Sequence, residues 1–272
     1  MFLTLDDARL FTTAFGPPTA PVLLGIGGWI GSWELWAGPF SLLSADWYTI
    51  AYDHRGAGAT LAPTESITFE RLVDDVFCVL DAYRVERCYL AAESAGAATA
   101  LAAALRQPER IAGLVIVDGF YFGDTPNDRD PFLAGLRSHY AATLDAFVTA
   151  CVPEEDCDHI KRWGRQILDR AAPEAAIALY RTVNPIDLRH QLPGIRQPTL
   201  ILHGSADRVV PVEAAHWLAA ALPNARLVIL DGAGHVPTMT RPQAVAHEMA
   251  QFLQTVSMAT PSLVARGLPP AI

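Results

Sequence analysis

Short apolar runs recur along the chain, separated by longer stretches in which apolar residues return every three or four positions. Val22–Leu24, Tyr48–Tyr52, Cys88–Ala92, Leu114–Val117, Thr199–Leu202 and Arg226–Leu230 read as strands. Their brevity and β-branched content suit strands buried on both faces. Between them, Phe69–Tyr83 carries Leu72, Val73, Val76, Val79 and Leu80 at the spacing of one helix face. Ala95–Leu105 is alanine-rich and ends before Pro108. Val212–Leu222 follows Pro211, a favourable first-turn residue, and Gln243–Val256 is the last periodic stretch. Strand alternating with helix predicts the α/β class, with a mostly parallel sheet covered by helices on both faces.

The alternation breaks between Gly119 and Pro185. Pro131–Tyr140, Ala142–Ala150, Ile160–Ala171 and Pro173–Thr182 all carry helical patterns, with no convincing strand among them. An all-helical block inserted after the fourth of these strands predicts a lid over the C-terminal edge of the sheet. The expected division is a core of residues 1–119 and 186–256, a helical cap of 120–185 and a tail of 257–272. The tail holds three prolines and a glycine, and is expected to be ordered only in part.

Composition narrows the function classes. The 272 residues are 51% hydrophobic and 18% charged, enough apolar material for a sizeable core. The net charge of −9, with no basic cluster, argues against nucleic acid as a partner, because phosphate contacts need grouped Lys and Arg. Met1–Leu10 lacks the basic start and apolar stretch of a signal peptide, and no segment reaches the ~18 apolar residues of a membrane span. The expectation is a soluble cytoplasmic protein without membrane contact; the sequence is silent on oligomeric state. Cys78, Cys88, Cys151 and Cys157 have no metal-ligand spacing, so no metal is expected. Cys151 and Cys157 are near enough in sequence for a disulfide, but reduced thiols are expected in a cytoplasmic protein.

Three segments follow strands, where open α/β sheets place their ligands. Ala92-Glu93-Ser94-Ala95-Gly96 joins a strand to a helix. Such a nucleophile elbow exposes its serine on a tight turn, which requires small residues two positions either side; here these are Ala92 and Gly96. The Ala95 N–H at the helix start is placed to stabilise an oxyanion. His203-Gly204-Ser205-Ala206-Asp207 follows a later strand, and Gly232-Ala233-Gly234-His235 follows the last. Serine is a weak nucleophile and needs histidine as base, and a carboxylate fixes the imidazole tautomer. Ser94, His235 and Asp207 are thus the candidate catalytic residues. Asp118, also at a strand end, is the rival acid, with a turn-capping role expected instead. Glu93 is expected to make local hydrogen bonds, and His54 and His203 to be structural. His139, His159, His190, His216 and His247 read as surface or core-edge residues.

From about Leu10 to Leu253 the chain resembles the α/β-hydrolase family. Its chain order of serine, aspartate and histidine is the family's. Val22–Trp36, with Gly27-Gly28-Trp29, is similar to the oxyanion-hole loop, and Asp53-His54-Arg55-Gly56-Ala57-Gly58 to the D-x-R-G-x-G turn, a structural feature. Gln107–Ile111 before a strand is also typical. The resemblance implies the Trp29 N–H as second oxyanion donor. The chain departs from the pattern at Gly27, where histidine is usual, at Ala92 and at Ala97, where glycine is common; alanine is sterically tolerable at both.

Gly25–Ile30 begins like a dinucleotide fingerprint, but Ile30 stands at the third glycine position, so no nucleotide or other cofactor is expected. Gly28, Ile30, Phe120, Tyr121, Phe122, Val209, Val236 and Met239, with Trp29, are candidate walls of an apolar cleft for a small-molecule substrate. The expected reaction is hydrolysis of a carboxylic ester or lactone through an acyl-enzyme. Within this fold a C–C bond hydrolase of diketone-type substrates is a serious alternative, as are lyases and acyltransferases. A slow-turnover ligand sensor that keeps the triad is a further one. A serine nucleophile argues against the dehalogenases and epoxide hydrolases of this fold, which use aspartate.

Overall fold

The computed structural model describes residues 1–258. In chain order its elements are β1 (Phe2–Thr4), β2 (Arg9–Phe15), β3 (Val22–Ile26), α1 (Ala37–Leu43), β4 (Tyr48–Tyr52), α2 (Phe69–Ala82), β5 (Cys88–Glu93), α3 (Gly96–Arg106) and β6 (Ile111–Val117). Then come α4 (Pro131–Ser138), α5 (Tyr140–Cys151), α6 (Asp158–Leu168), α7 (Pro173–Val183), β7 (Thr199–Gly204), α8 (Val212–Ala221), β8 (Ala225–Leu230), α9 (Pro237–Thr240) and α10 (Pro242–Met258). Of the expected tail, Ser257 and Met258 close α10, and the rest lies outside the described residues.

The eight-stranded sheet has the order β1-β2-β4-β3-β5-β6-β7-β8. β1 and β2 pair antiparallel at one edge, and every later pairing is parallel except that of β2 with β4. The inner strands β3, β4, β5, β6 and β7 are buried along their whole length because helices cover both faces. On one face Val73, Val76 and Leu80 of α2, Ala100 and Leu101 of α3 and Leu218 of α8 pack on Leu24, Ile50 and Leu90. On the other, Trp36, Phe40, Val245, Met249 and Leu253 pack on Leu23, Val115 and Leu200. Burying each large side chain contributes about 1.5–3 kcal/mol. The alanines of α3 let its backbone lie close to the sheet that carries Ser94.

β6 begins at Ile111, earlier than the apolar run suggested. The helix expected over Pro131–Tyr140 breaks at His139 (φ −144°, ψ 49°), which ends α4 and precedes α5. Four helices, α4 to α7, lie between β6 and β7. Leu136, Leu144, Val148, Leu168, Ala176 and Leu179 from these helices form one apolar cluster with Trp29 and Ile30. Among the described residues, no helix is long and apolar enough to cross a membrane.

Candidate active site

β5 ends at Glu93 and α3 begins at Gly96, so Ser94 and Ala95 make the turn alone. Ser94 sits at φ +52°, a left-handed conformation that costs an L residue about 1–3 kcal/mol. Hydrogen bonds hold it there. Its N–H donates to Val117 O at 2.9 Å, and its carbonyl accepts from the amides of Ala97 and Phe120, each at 2.9 Å. The turn needs glycine nearby: a Cβ at Gly96 would stand 2.5 Å from Gly27 O, and one at Gly28 would stand 3.0 Å from Ser94 Cβ. The loop after β3 thus packs against the serine itself.

His235 and Asp207 arrive from the loops after β8 and β7. Asp207 Oδ2 lies 2.7 Å from His235 Nδ1, and His235 Nε2 lies 2.8 Å from Ser94 Oγ. A carboxylate only accepts, so Nδ1–H donates to Asp207, leaving Nε2 to accept from the Ser94 hydroxyl. Asp207 Oδ1 accepts from the amides of Val209 at 2.7 Å and Val210 at 3.0 Å. Burial pushes the Asp207 carboxyl up, but the hydrogen bonds from His235 and from the Val209 and Val210 amides outweigh it, and the group sits below the usual carboxylate range.

Asp118, at φ +46°, is fully buried, and the expected cap of the turn after it does not form. Its Oδ1 accepts from Gly204 N–H at 2.8 Å, across the sheet edge, which turns the carboxyl toward the Asp207 loop. Burial, and then the charge of Asp207, push Asp118 well above the usual carboxylate range. Asp118, His203 and Asp207 bring ligand atoms within 4.8 Å of one another. A cation there would compete for the Asp207 oxygen that His235 holds. His203 Nε2 lies 3.0 Å from Val210 O, and burial lowers its pKa, so it is a neutral donor to that carbonyl.

The remaining contacts brace the site. His54 Nε2 lies 2.8 Å from Gly28 O, and the Trp29 indole donates to Ala176 O at 2.9 Å. His54 therefore reaches outside its own turn to hold the loop in which Gly27 replaces the usual histidine. Asp53 accepts from Trp33 N–H at 2.8 Å and Ala59 N–H at 2.7 Å, tying the D-x-R-G-x-G turn to the same loop. The His235 N–H donates to Cys151 O, and Gly234 N–H to Glu154 Oε1, each at 2.8 Å. Both acceptors come from the end of α5 and the loop behind it; these supports had no sequence signal, because Cys151 and His235 are remote in the chain. Glu93 is buried, and its Oε1 accepts from Thr238 Oγ1 at 3.0 Å. Burial pushes Glu93 up to about 8, only partly offset by Thr238. All four cysteines are free thiols.

Two cavities adjoin Ser94. One of about 60 Å³ is bounded by Gly28, Trp29, Ile30, Val236, Met239 and His235, and by residues of α5 and α6. The other, about 780 Å³, is bounded by Trp29, Ala95, Phe120, Val209 and residues of α4, α5 and α7. Tyr121 and Phe122 are on neither wall. Tyr121 is buried with its hydroxyl donating to Ala214 O at 2.9 Å, and Phe122 lies under the Arg189 guanidinium at 4.6 Å. The sequence had not singled out Val148, Ile167 and Leu168 of the small cavity, which helical periodicity alone cannot tell from core.

A family model described as the alpha/beta hydrolase fold matches residues 21–242. A protein of Pseudomonas syringae pv. syringae, provisionally named carbamate hydrolase RutD, is 27% identical over 87% of this chain and 95% of its own. The pimeloyl-[acyl-carrier protein] methyl ester esterase of Nitrosomonas europaea is 29% identical over 88% of this chain and 96% of its own. The crystal structure of a hydrolase from Pseudomonas aeruginosa PA01 superposes with a TM-score of 0.85 at 27% identity, covering 93% of this chain and 97% of that one.

Proposed function

Since the chain belongs to the α/β-hydrolase fold family, we propose that it hydrolyses carboxylic esters or lactones through Ser94, His235 and Asp207. Membership and the named relatives make it a hydrolase. The observation that carries the finer reading is the continuous pair of hydrogen bonds, 2.7 Å and 2.8 Å, running from Asp207 through His235 to a serine on a strained turn. In this reading His235 Nε2 takes the Ser94 proton as Oγ attacks the carbonyl. Asp207 stabilises the imidazolium that forms. The amides of Trp29 and Ala95 receive the developing oxyanion, Ala95 with the aid of the positive end of α3. Residues 120–185 act as a cap on a core of 1–119 and 186–256, and Trp29 ties that cap to the oxyanion loop.

The methyl ester esterase among the relatives supports an ester. A carbamate presents the same carbonyl with a nitrogen on its far side, and the relative named for carbamate hydrolysis favours it as the second reading. The test is labelling with a fluorophosphonate, mapped by mass spectrometry, beside turnover of activated esters, lactones and carbamates. Labelling should land on Ser94, and Ser94→Ala should lose on the order of 10⁴-fold or more in kcat while staying folded. An active alanine variant, free of wild-type contamination, would remove the mechanism.

A further inference from the structure

The two cavities that meet at Ser94 differ in ways that assign them different halves of a substrate. Trp29 and Phe147 border both and form the partition between them. His235 is on the wall of the small cavity and not of the wide one. That matters because the departing group must collect its proton from His235 Nε2, so it leaves from the side that His235 borders. The acyl group stays bonded to Ser94 and extends the other way, past Ala95 and Phe120.

Size then sets chemistry. The small chamber, at about 60 Å³, offers less than a tenth of the space of the wide one, at about 780 Å³, so it takes much the smaller group. Glu93 and Cys151 also border it, but most of its remaining wall is apolar, with Val148, Ile167, Leu168 and Met239. The wide cavity of about 780 Å³ falls in the range that takes a drug-sized group. Gly164, inside α6, is part of what keeps the chamber open. The nearest atom to a Cβ built there is Val148 Cγ1 at 4.0 Å, so a larger side chain would project into free space beside the chamber.

Resting on the ester reading above, we propose that the substrates are esters of short apolar alcohols with bulky acyl groups, the alcohol held in the chamber and the acyl group in the wide cavity. The bond from Ser94 Oγ to the acyl carbon forms as the serine proton passes to Nε2. The bond from that carbon to the alkoxy oxygen breaks as Nε2 returns the proton to the alkoxide, which leaves as the alcohol. Water then occupies the emptied chamber. It gives a proton to Nε2 and its hydroxide to the acyl carbon, and the acid departs as Ser94 regains its proton.

The experiment uses the full chain and two ester series. One holds phenylacetate constant and lengthens the alcohol from methanol to 1-octanol; the other holds methanol constant and lengthens the acyl group from acetyl to dodecanoyl. kcat/KM should fall about ten-fold per methylene once the alcohol exceeds the chamber, and should not fall along the acyl series through decanoyl. Gly164→Leu should move the fall to shorter alcohols and Met239→Ala to longer ones, with melting temperature and Ser94 labelling as controls for folding. A size limit in the acyl series, or a limit in the alcohol series that neither folded variant moves, overturns the proposal while leaving the hydrolase reading intact. Absence of Ser94 labelling together with absence of turnover overturns the hydrolase reading itself.

Discussion

Replacing Asp207 with asparagine tests the proposed acid through a consequence of its backbone contacts. Asp207 Oδ1 accepts from two amides, Val209 at 2.7 Å and Val210 at 3.0 Å. An asparagine must keep its oxygen toward those two donors, because reversing the amide would set N–H against N–H twice. Its NH₂ then faces His235 Nδ1, at the position where Asp207 Oδ2 now stands 2.7 Å away. Nδ1 becomes the acceptor, and the ring proton moves to Nε2, the atom 2.8 Å from Ser94 Oγ. The ring is then a donor where a base is needed. The expected loss is roughly 10⁴-fold in kcat, or about 5.5 kcal/mol of transition-state stabilisation. Asp118→Asn should cost far less, since Asp118 holds Gly204 N–H and not the imidazole. The assay is steady-state turnover of methyl phenylacetate, followed by acid release, by both variants, with circular dichroism melts to confirm folding. If Asp207→Asn stays within about ten-fold of wild type while Asp118→Asn is crippled, the acid has been assigned to the wrong strand end.

The other predictions rest on burial and close approach. Glu93 is raised from 4.5 to about 8, so between those values the folded state holds a proton that the unfolded state releases. Its folded pKa is the higher one, so stability falls as pH rises across that window, by up to about 5 kcal/mol in total. Glu93→Gln should flatten this dependence in urea unfolding at pH 5 and pH 8; equal slopes for variant and wild type would contradict it. Gly96→Ala should destabilise by about 1–3 kcal/mol and depress activity, because the new Cβ would meet Gly27 O at 2.5 Å and displace the oxyanion loop. Gly164→Ala should instead stabilise by about 0.5–1 kcal/mol, since the site is helical and a Cβ there meets nothing nearer than 4.0 Å. A thermal melt distinguishes the two glycines by sign.

The sequence by itself determined the features that depend on near neighbours. Five of the six short apolar runs became buried parallel strands because strands covered on both faces have no polar side to show; the sixth, β8, pairs on one side only at the sheet edge and is half-buried, which its apolar run did not reveal. The small residues around Ser94 were legible because a strand-to-helix reversal in two residues excludes larger ones. Asp207 and His235 could be singled out because each follows a strand directly, and the strand order brings both to the edge that carries Ser94. Less was legible at the first edge. β1 and β2 are not legible because Arg9–Phe15 places threonines among its apolar residues; Thr12 is buried with its hydroxyl 2.8 Å from that of Tyr83, a partner remote in the chain. Tyr121 and Phe122 looked like cleft residues from their position after a strand, but chain direction turns one into the core and the other beneath Arg189. Only tertiary structure decided that Asp118 faces Asp207, that Cys151 and Glu154 hold the histidine loop, and that Val148, Gly164 and Ile167 enclose a chamber. The reason is physical: a helix pattern shows which face is apolar, but not whether that face meets another side chain or an empty space beside a nucleophile.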